Sequence, residues 1–148
     1  MARKIFFSFH YGKDAQRVAT VRNSNIIGNF EKSPFYDKAE WESIKRNGDT
    51  AIRNWIDKQL LGTSVTVVLI GTETYKRRWV KYEIAKSVEL GKGLIGVHIN
   101  GIKDWTGNTE NLGQNPLPAG YPTYKWNADK GAARLAQWVE TAAIKAGR

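Results

Sequence analysis

The residues from Ser64 to Leu90 constrain the fold more than any other part of the sequence. Residues Val65 to Ile70 form a nearly unbroken apolar, β-branched run, which predicts a strand covered on both faces, as in a parallel sheet. Gly71 and Thr72 interrupt the run, and after Tyr75 the pattern becomes helical. Ligands of open α/β sheets bind outside the carboxyl ends of the strands. The loop after this strand and the first turns of the next helix therefore border a candidate site.

The predicted helix after Tyr75 carries two neighbouring stripes of side chains. Val80, Ile84 and Val88 recur every four residues and are predicted to face the sheet. Trp79 and Glu83 are also four residues apart, so they share the adjoining stripe. We expect Glu83 to lie about 100° around the helix from Ile84, at the rim of the buried face and beside the cleft.

Predicted strands and helices alternate along the whole chain. Asp14 and Asp49 are the predicted N-caps of two helices, and a polar segment over 100–122, with four glycines and three prolines, is predicted to be an irregular, mobile loop. The alternation predicts a doubly wound, mainly parallel α/β sheet with helices on both faces, formed by one domain over residues 1–148. Besides the central strand and helix, strands are predicted over 4–9, 33–37, 94–99 and 123–126, and helices over 15–23, 49–61 and 129–146.

Composition leaves several kinds of partner open and argues against others. The net charge of +9 favours anionic ligands, and six tryptophans could stack on single-stranded nucleic acid. We consider nucleic acid unlikely, because no base-reading motif is present and Trp55 and Trp138 fall on inward helix faces. The absence of cysteine excludes thiolate metal sites, and the two histidines lack metal-ligand spacing, so no metal is expected. No apolar run reaches the roughly 18 residues that a membrane span requires, and we expect a cytoplasmic protein without membrane contact.

A glycine-rich string in the chain has the wrong context for a nucleotide fingerprint. Residues 91–96 match G-x-G-x-x-G, but these glycines close a helix and open a strand. A dinucleotide-binding fingerprint follows a strand and opens a helix. We therefore interpret the string as a helix terminus.

The predicted carboxyl ends of the strands collect polar and aromatic side chains at one edge of the sheet. Aromatic faces stack on a base or a nicotinamide ring, and nearby cations attract pyrophosphate. A carboxylate stabilises an oxocarbenium-like centre when a glycosidic bond breaks. The pattern alone favours an alternative without a chemical role, in which Glu83 is a solvated helix residue that pairs with Arg78 or Lys86. The candidate site consists of Ser8, Phe9, His10, Tyr11, Asp37, Trp79 and Glu83.

Three stretches of the chain carry a resemblance to a known family. They read KIFFSFHYGKD, then DKAEW with KRNGDTAIRNWIDKQLLGTSVTVVLIG, and finally TETYKRRWVKYEI. Over most of residues 3–100 the sequence resembles the TIR superfamily, specifically the TIR-like domain of the ThsB type in bacterial Thoeris antiphage systems. TIR enzymes carry a tryptophan four residues before their catalytic glutamate, and Trp79 and Glu83 reproduce that spacing.

The resemblance implies a flavodoxin-like (TIR-like) fold and an NAD⁺ nucleosidase or ADP-ribosyl cyclase activity. NAD would be the substrate and no cofactor would be needed; Glu83 would be catalytic and the other six site residues would bind substrate. The product, a cyclic ADP-ribose-type nucleotide, would activate a separate effector protein. Further candidate partners are a phage-derived trigger and a second copy of the chain. A non-enzymatic TIR-like interaction module is the alternative.

Overall fold

The computed structural model describes residues 4–24, 31–32 and 38–148. Its strands are β1 (Lys4–Ser8), β2 (Glu31–Lys32), β3 (Val65–Ile70), β4 (Gly93–His98) and β5 (Thr123–Lys125). Its α-helices are α1 (Ala15–Arg22), α2 (Lys38–Lys45), α3 (Asp49–Leu60), α4 (Arg78–Glu89) and α5 (Gly131–Lys145), and a 3₁₀ turn over Thr74–Lys76 precedes α4. None of the helices in these ranges is long and apolar enough to cross a membrane.

The strands form one parallel sheet in the order β2-β1-β3-β4-β5. This is the strand order of flavodoxin-like doubly wound folds, so the predicted fold class is confirmed. Neighbouring strands β1 and β3 mark the point where the order reverses, and ligands of such folds bind at the carboxyl ends there. Residues 8–11 leave β1 at that point.

Helices cover both faces of the sheet. Val67 and Leu69 of β3 pack into the core beneath α1 and α5, whereas Val68 and Ile70 pack toward α4. All six residues of β3 are buried, which confirms the prediction of a strand covered on both sides. The site region therefore rests on the most enclosed strand of the fold.

The inward stripe of α4 differs from the prediction at its last position. Val88 is 40% exposed, while Ser87 is buried and hydrogen-bonds to Thr66 of β3 at 2.7 Å. Seven residues advance a helix by about 700°, nearly two full turns, so Ser87 returns to the face of Val80. Eight residues overshoot that face by about 80°. The buried arc therefore follows residues three and four apart, and Val88 lies outside it.

The two aspartates predicted to cap helices have other roles. Asp14 occupies the N-cap position of α1 but makes no side-chain cap bond, because its carboxylate is buried against Gly71. Asp49 is the first residue of α3, and its carboxylate accepts a 2.6 Å hydrogen bond from Arg78. Both carboxylates thus connect separate segments of the chain instead of closing a helix end.

The region between α1 and α3 was the least predictable. The strand predicted over 33–37, which includes Asp37, lies outside the described residues, and a two-residue strand stands at Glu31–Lys32. Helix α2 was not predicted. It is only eight residues long, and Trp41 is its buried anchor.

The segment over 100–122 contains no helix or strand, which confirms its predicted irregularity. Its first half is fastened to α1 by the buried guanidinium of Arg17. That group donates hydrogen bonds to the carbonyls of Ile102 (2.8 Å) and Asn108 (2.9 Å) and to the Glu110 carboxylate (2.8 Å). The predicted mobility of the segment stays a prediction.

Candidate active site

A recess lies at the carboxyl end of β1, between the loop after that strand and the first turns of α4. Its volume is about 70 Å³. Since a water molecule takes about 30 Å³ of liquid and ligand pockets usually measure about 300–1,000 Å³, the recess is too small to hold a nucleotide as it stands. It is lined by Phe9, His10, Tyr11, Gly12, Trp41, Glu42, Lys45, Arg77, Trp79, Val80 and Glu83.

The recess brings together most of the residues that the sequence predicted for the site. Ser8 does not line the recess, but its hydroxyl donates a hydrogen bond to Glu83, which does. Asp37 lies outside the described residues. The five predicted residues that line the recess directly are Phe9, His10, Tyr11, Trp79 and Glu83.

Glu83 is buried, with only 3% of its surface exposed, so the predicted rim position is wrong. It lies three residues after Val80, about 60° around the helix, and hence inside the buried arc of α4. Its Oε1 accepts a 2.7 Å hydrogen bond from the Ser8 hydroxyl. The side chain therefore points at the end of β1 from beneath the recess.

The surroundings of Glu83 favour its uncharged form. Burial raises the pKa of its carboxyl from 4.5 to about 8, and the hydrogen bond from Ser8 lowers that pKa only in part. The predicted alternative partners are engaged elsewhere, since Arg78 binds Asp49 and Lys86 binds Glu89. The Glu83 carboxyl is therefore mostly protonated at neutral pH.

Aromatic rings form the walls of the recess. Tyr11 stacks on Trp41, with ring centroids 5.0 Å apart and an interplanar angle of 17°. Trp79 is held from two sides, by the guanidinium of Arg78 at 4.5 Å from its ring centroid and by the edge contact with Tyr82. These contacts fix flat apolar surfaces next to Glu83 before any ligand arrives.

The proton position on His10 follows from the turn that it closes. Its Nδ1 accepts hydrogen bonds from the backbone N–H groups of Gly12 and Lys13, both at 3.2 Å. The ring proton of neutral His10 must then reside on Nε2. Burial, with the nearby charge of Arg77, lowers the pKa of His10, so the ring is neutral at pH 7 and its Nε2–H is a donor.

Sequence reasoning missed the contributions of α2 and of the residue that precedes α4. Trp41, Glu42 and Lys45 come from the unpredicted helix α2. Arg77 is one of four basic residues around the start of α4, with Lys76, Arg78 and Lys81. The first turn of α4 has no acidic residue. Helix N-termini favour anionic side chains, so cations there are a signal for an external anion.

Both comparisons with known proteins point to one family. The family model described as "Thoeris protein ThsB, TIR-like domain" matches residues 6–104, which include the last three residues of β1 and all of β3, α4 and β4. A protein of Bacillus cereus (strain MSX-D12), named "Putative cyclic ADP-D-ribose synthase ThsB1", is 42% identical over 141 residues. That match covers 94% of this chain and 72% of the relative. The chain belongs to the ThsB family of TIR-like proteins.

Proposed function

We propose that this protein is an NAD-processing enzyme that releases nicotinamide and makes a cyclic ADP-ribose-type nucleotide. The observation that carries the proposal is the buried Glu83 carboxyl, placed at the carboxyl edge of the sheet beside fixed aromatic rings and without a cationic partner among the described residues. The name of the 42% identical relative states the same reaction product. NAD serves as the substrate, and no separate cofactor enters the proposal.

Glu83 has no cationic partner among the described residues, and a cationic substrate would supply one and thereby favour the ionised carboxylate. The nicotinamide ring of NAD⁺ is positively charged, so its arrival beside Glu83 favours the carboxylate and lowers its pKa. The carboxylate then binds the ribose hydroxyls and stabilises positive charge at the anomeric carbon as the bond to nicotinamide breaks. The bonding electron pair leaves with nicotinamide, which becomes neutral. A nitrogen or hydroxyl oxygen of the same ADP-ribose then gives a lone pair to the anomeric carbon and closes the ring, and any proton on that atom passes to the Glu83 carboxylate or to water.

The other residues of the recess would bind and orient the substrate. Tyr11, Trp41 and Trp79 offer faces for stacking, and the Nε2–H of His10 is a donor for a substrate oxygen. Arg77 stands where a pyrophosphate would meet the start of α4. Phe9 and Asp37 keep the substrate-binding role that the resemblance implies, whereas Ser8 acts through Glu83 as a positioning residue.

A recess of about 70 Å³ has to open before it can admit a dinucleotide, which supports regulated activity. The protein would act in the cytoplasm, with low basal turnover that rises on assembly or on contact with a phage-derived trigger. Its product would reach a separate effector protein in antiphage defence. Full turnover by dilute monomer without any phage component would contradict this regulation.

The substitution Glu83→Gln tests the catalytic assignment. It keeps the shape of the side chain and its bond from Ser8 but removes the charge, so we expect nicotinamide release to fall on the order of 10²–10³-fold. Nicotinamide measured by chromatography, and the cyclic product measured by mass spectrometry of infected cells, provide the readouts. Glu89→Gln, an exposed residue of the same helix, is the matched control.

Two outcomes of this experiment would remove the assignment. Equal turnover by a folded Glu83→Gln protein and the wild type would exclude catalysis by Glu83. Absence of nicotinamide release from every variant, in infected and uninfected cells alike, would favour the non-enzymatic interaction module.

A further inference from the structure

A second and larger cavity lies at the other end of the sheet. Its volume is about 500 Å³, within the usual range of small-molecule sites. Its walls are the first half of β4, the segment over 119–122 and the last turns of α5. It shares no lining residue with the recess around Glu83.

The cavity exists because β5 stops pairing with β4 halfway along. Gly96 N–H donates to the carbonyl of Pro122 at 3.0 Å, and pairing runs from there toward the carboxyl end. One step earlier, the carbonyl of Leu94 would need a donor from residue 122, and proline has no N–H. Pro122 therefore ends the ladder and leaves Leu94 without a strand partner on that side.

Leu94 is only 2% exposed, and its peptide groups lie at the floor of the cavity. Gly93 N–H and Ile99 N–H donate to β3, which assigns the odd-numbered residues of β4 to that neighbour. The alternation of the ladder turns the N–H and C=O of Leu94 the other way. The cavity wall thus offers one donor and one acceptor side by side, a match for a planar ring with an amide-like edge.

Charge and aromatic surface add two further requirements for a ligand. The lining includes the exposed Lys145 and no aspartate or glutamate, whereas Lys92, which also lines the cavity, is buried and donates from its Nζ to the carbonyl of Thr63 at 2.5 Å. Tyr121 contributes a ring, and so do Tyr124 and Trp138, which are stacked on each other with centroids 4.1 Å apart. An anion with a flat ring satisfies Lys145 and the aromatic wall together.

We propose that this cavity is a second ligand site, for a small anion whose planar ring carries an adjacent donor and acceptor, the chemistry of a nucleoside monophosphate. A peptide strand fits less well, since Leu94 alone is open for pairing and β5 occupies the remainder of the edge. The site is separate from the proposed catalytic recess, and its occupation does not require NAD turnover.

Calorimetric titration of the purified chain with AMP tests the proposal. Thr141 lines the cavity from the exposed side of α5, so Thr141→Trp should fill the space and abolish binding. Lys145→Glu reverses a charge at the cavity and should weaken binding about three- to five-fold, as expected for an exposed ionic contact. Arg134→Glu, the same charge change elsewhere on α5, and Glu83→Gln should leave the affinity unchanged.

Several results would overturn the second site. Absence of saturable AMP binding up to about 1 mM would do so, as would binding that survives Thr141→Trp in a protein with wild-type circular dichroism. Equal weakening of AMP binding by Lys145→Glu and Arg134→Glu would show that the effect comes from the net charge of the protein and not from a contact in the cavity. Displacement of AMP by inorganic phosphate alone, or binding of an acetylated tripeptide amide in its place, would contradict the assigned ligand class.

Discussion

Two carboxyl groups are buried at the same edge of the sheet in different electrostatic surroundings. Glu83 lies on the α4 side, where the Ser8 hydroxyl donates a hydrogen bond to its carboxyl, and burial raises its pKa to about 8. Asp14 lies on the α1 side, where burial and Glu110 raise its pKa to about 6 and the nearby charges of Lys13 and Arg17 hold it down. The nearby cations therefore favour the charged form of Asp14, whereas burial keeps Glu83, which has no cationic partner among the described residues, in its neutral form.

The ionic side of this comparison fastens the segment over 100–122. Glu110 accepts hydrogen bonds from Arg17 at 2.8 Å and from Thr72 at 3.1 Å, and Lys13 lies 3.2 Å from its carboxylate. Gly113 comes so close to the backbone of Gly71 that a side-chain carbon there would clash. The ion pairs on the α1 side hold the segment over 100–122 in place, whereas on the α4 side no cation among the described residues pairs with Glu83.

Removal of Arg17 should have the largest effect on stability. Arg17→Ala leaves the buried end of Glu110 and two carbonyls without their donors, which should lower the free energy of unfolding by about 3 kcal/mol. Urea denaturation measures the loss. Lys13→Ala, which removes a more exposed cation from the same network, should cost less than about 1 kcal/mol. Equal losses would show that the network is not organised around Arg17.

The two carboxyls should give different pH dependences of stability. Glu83 has a pKa above its unfolded value, so its protonated form stabilises the fold at low pH, and that contribution is lost as pH rises from 4.5 through about 8. Glu83→Gln does not titrate. Its stability relative to wild type should therefore rise between pH 5 and pH 9, on the order of 1–4 kcal/mol.

Asp14→Asn provides the matched comparison for that series. Its pKa of about 6 places the corresponding change between pH 3.8 and about 6, so little further change should follow above pH 7. Thermal unfolding of both variants and the wild type across this range measures the pH interval over which each carboxyl changes the stability. Coincident windows would contradict the distinction between the two environments.

The smallest effect should come from Ser8. Ser8→Ala removes the hydrogen bond that lowers the pKa of Glu83, at a cost of about 1 kcal/mol. The acidic limb of the pH profile of nicotinamide release should move to higher pH, while Ser8→Thr, which keeps a hydroxyl, restores it. A limb that stays in place in Ser8→Ala would show that Ser8 does not position Glu83.

The sequence predicted the elements whose patterns were unambiguous. The apolar run over 65–70 predicted a strand covered on both faces, and Trp138 lies on the buried face of α5 as predicted. The edge of the sheet at which the candidate site lies followed from strand order, because carboxyl ends of parallel strands meet there. These features depend on local pattern and on topology.

The predictions that failed concern features that depend on tertiary contacts. Glu83 was placed at the rim because Val80, Ile84 and Val88 were predicted to face the sheet, yet the buried Ser87 lies near the centre of the buried arc and Val88 lies outside it. Helix α2 has too few apolar residues for a periodic signal, and Trp41 is buried by residues of other elements, among them Phe6, Ile52 and the stacked Tyr11. The raised pKa of Glu83 was beyond prediction, since it follows from the burial of the carboxyl, which the sequence did not reveal.

Carbon NMR titration of protein labelled at the glutamate carboxyl carbons tests the central claim most directly. The resonance missing from Glu83→Gln identifies the group. We predict that its midpoint lies near 8, well above the usual value of about 4.3. A saturating pyridinium cation without a glycosidic bond, 1-methylnicotinamide, should lower that midpoint. A midpoint near 4.5, or one near 8 that the bound cation leaves unmoved, would contradict a carboxyl group whose counter-ion the substrate supplies.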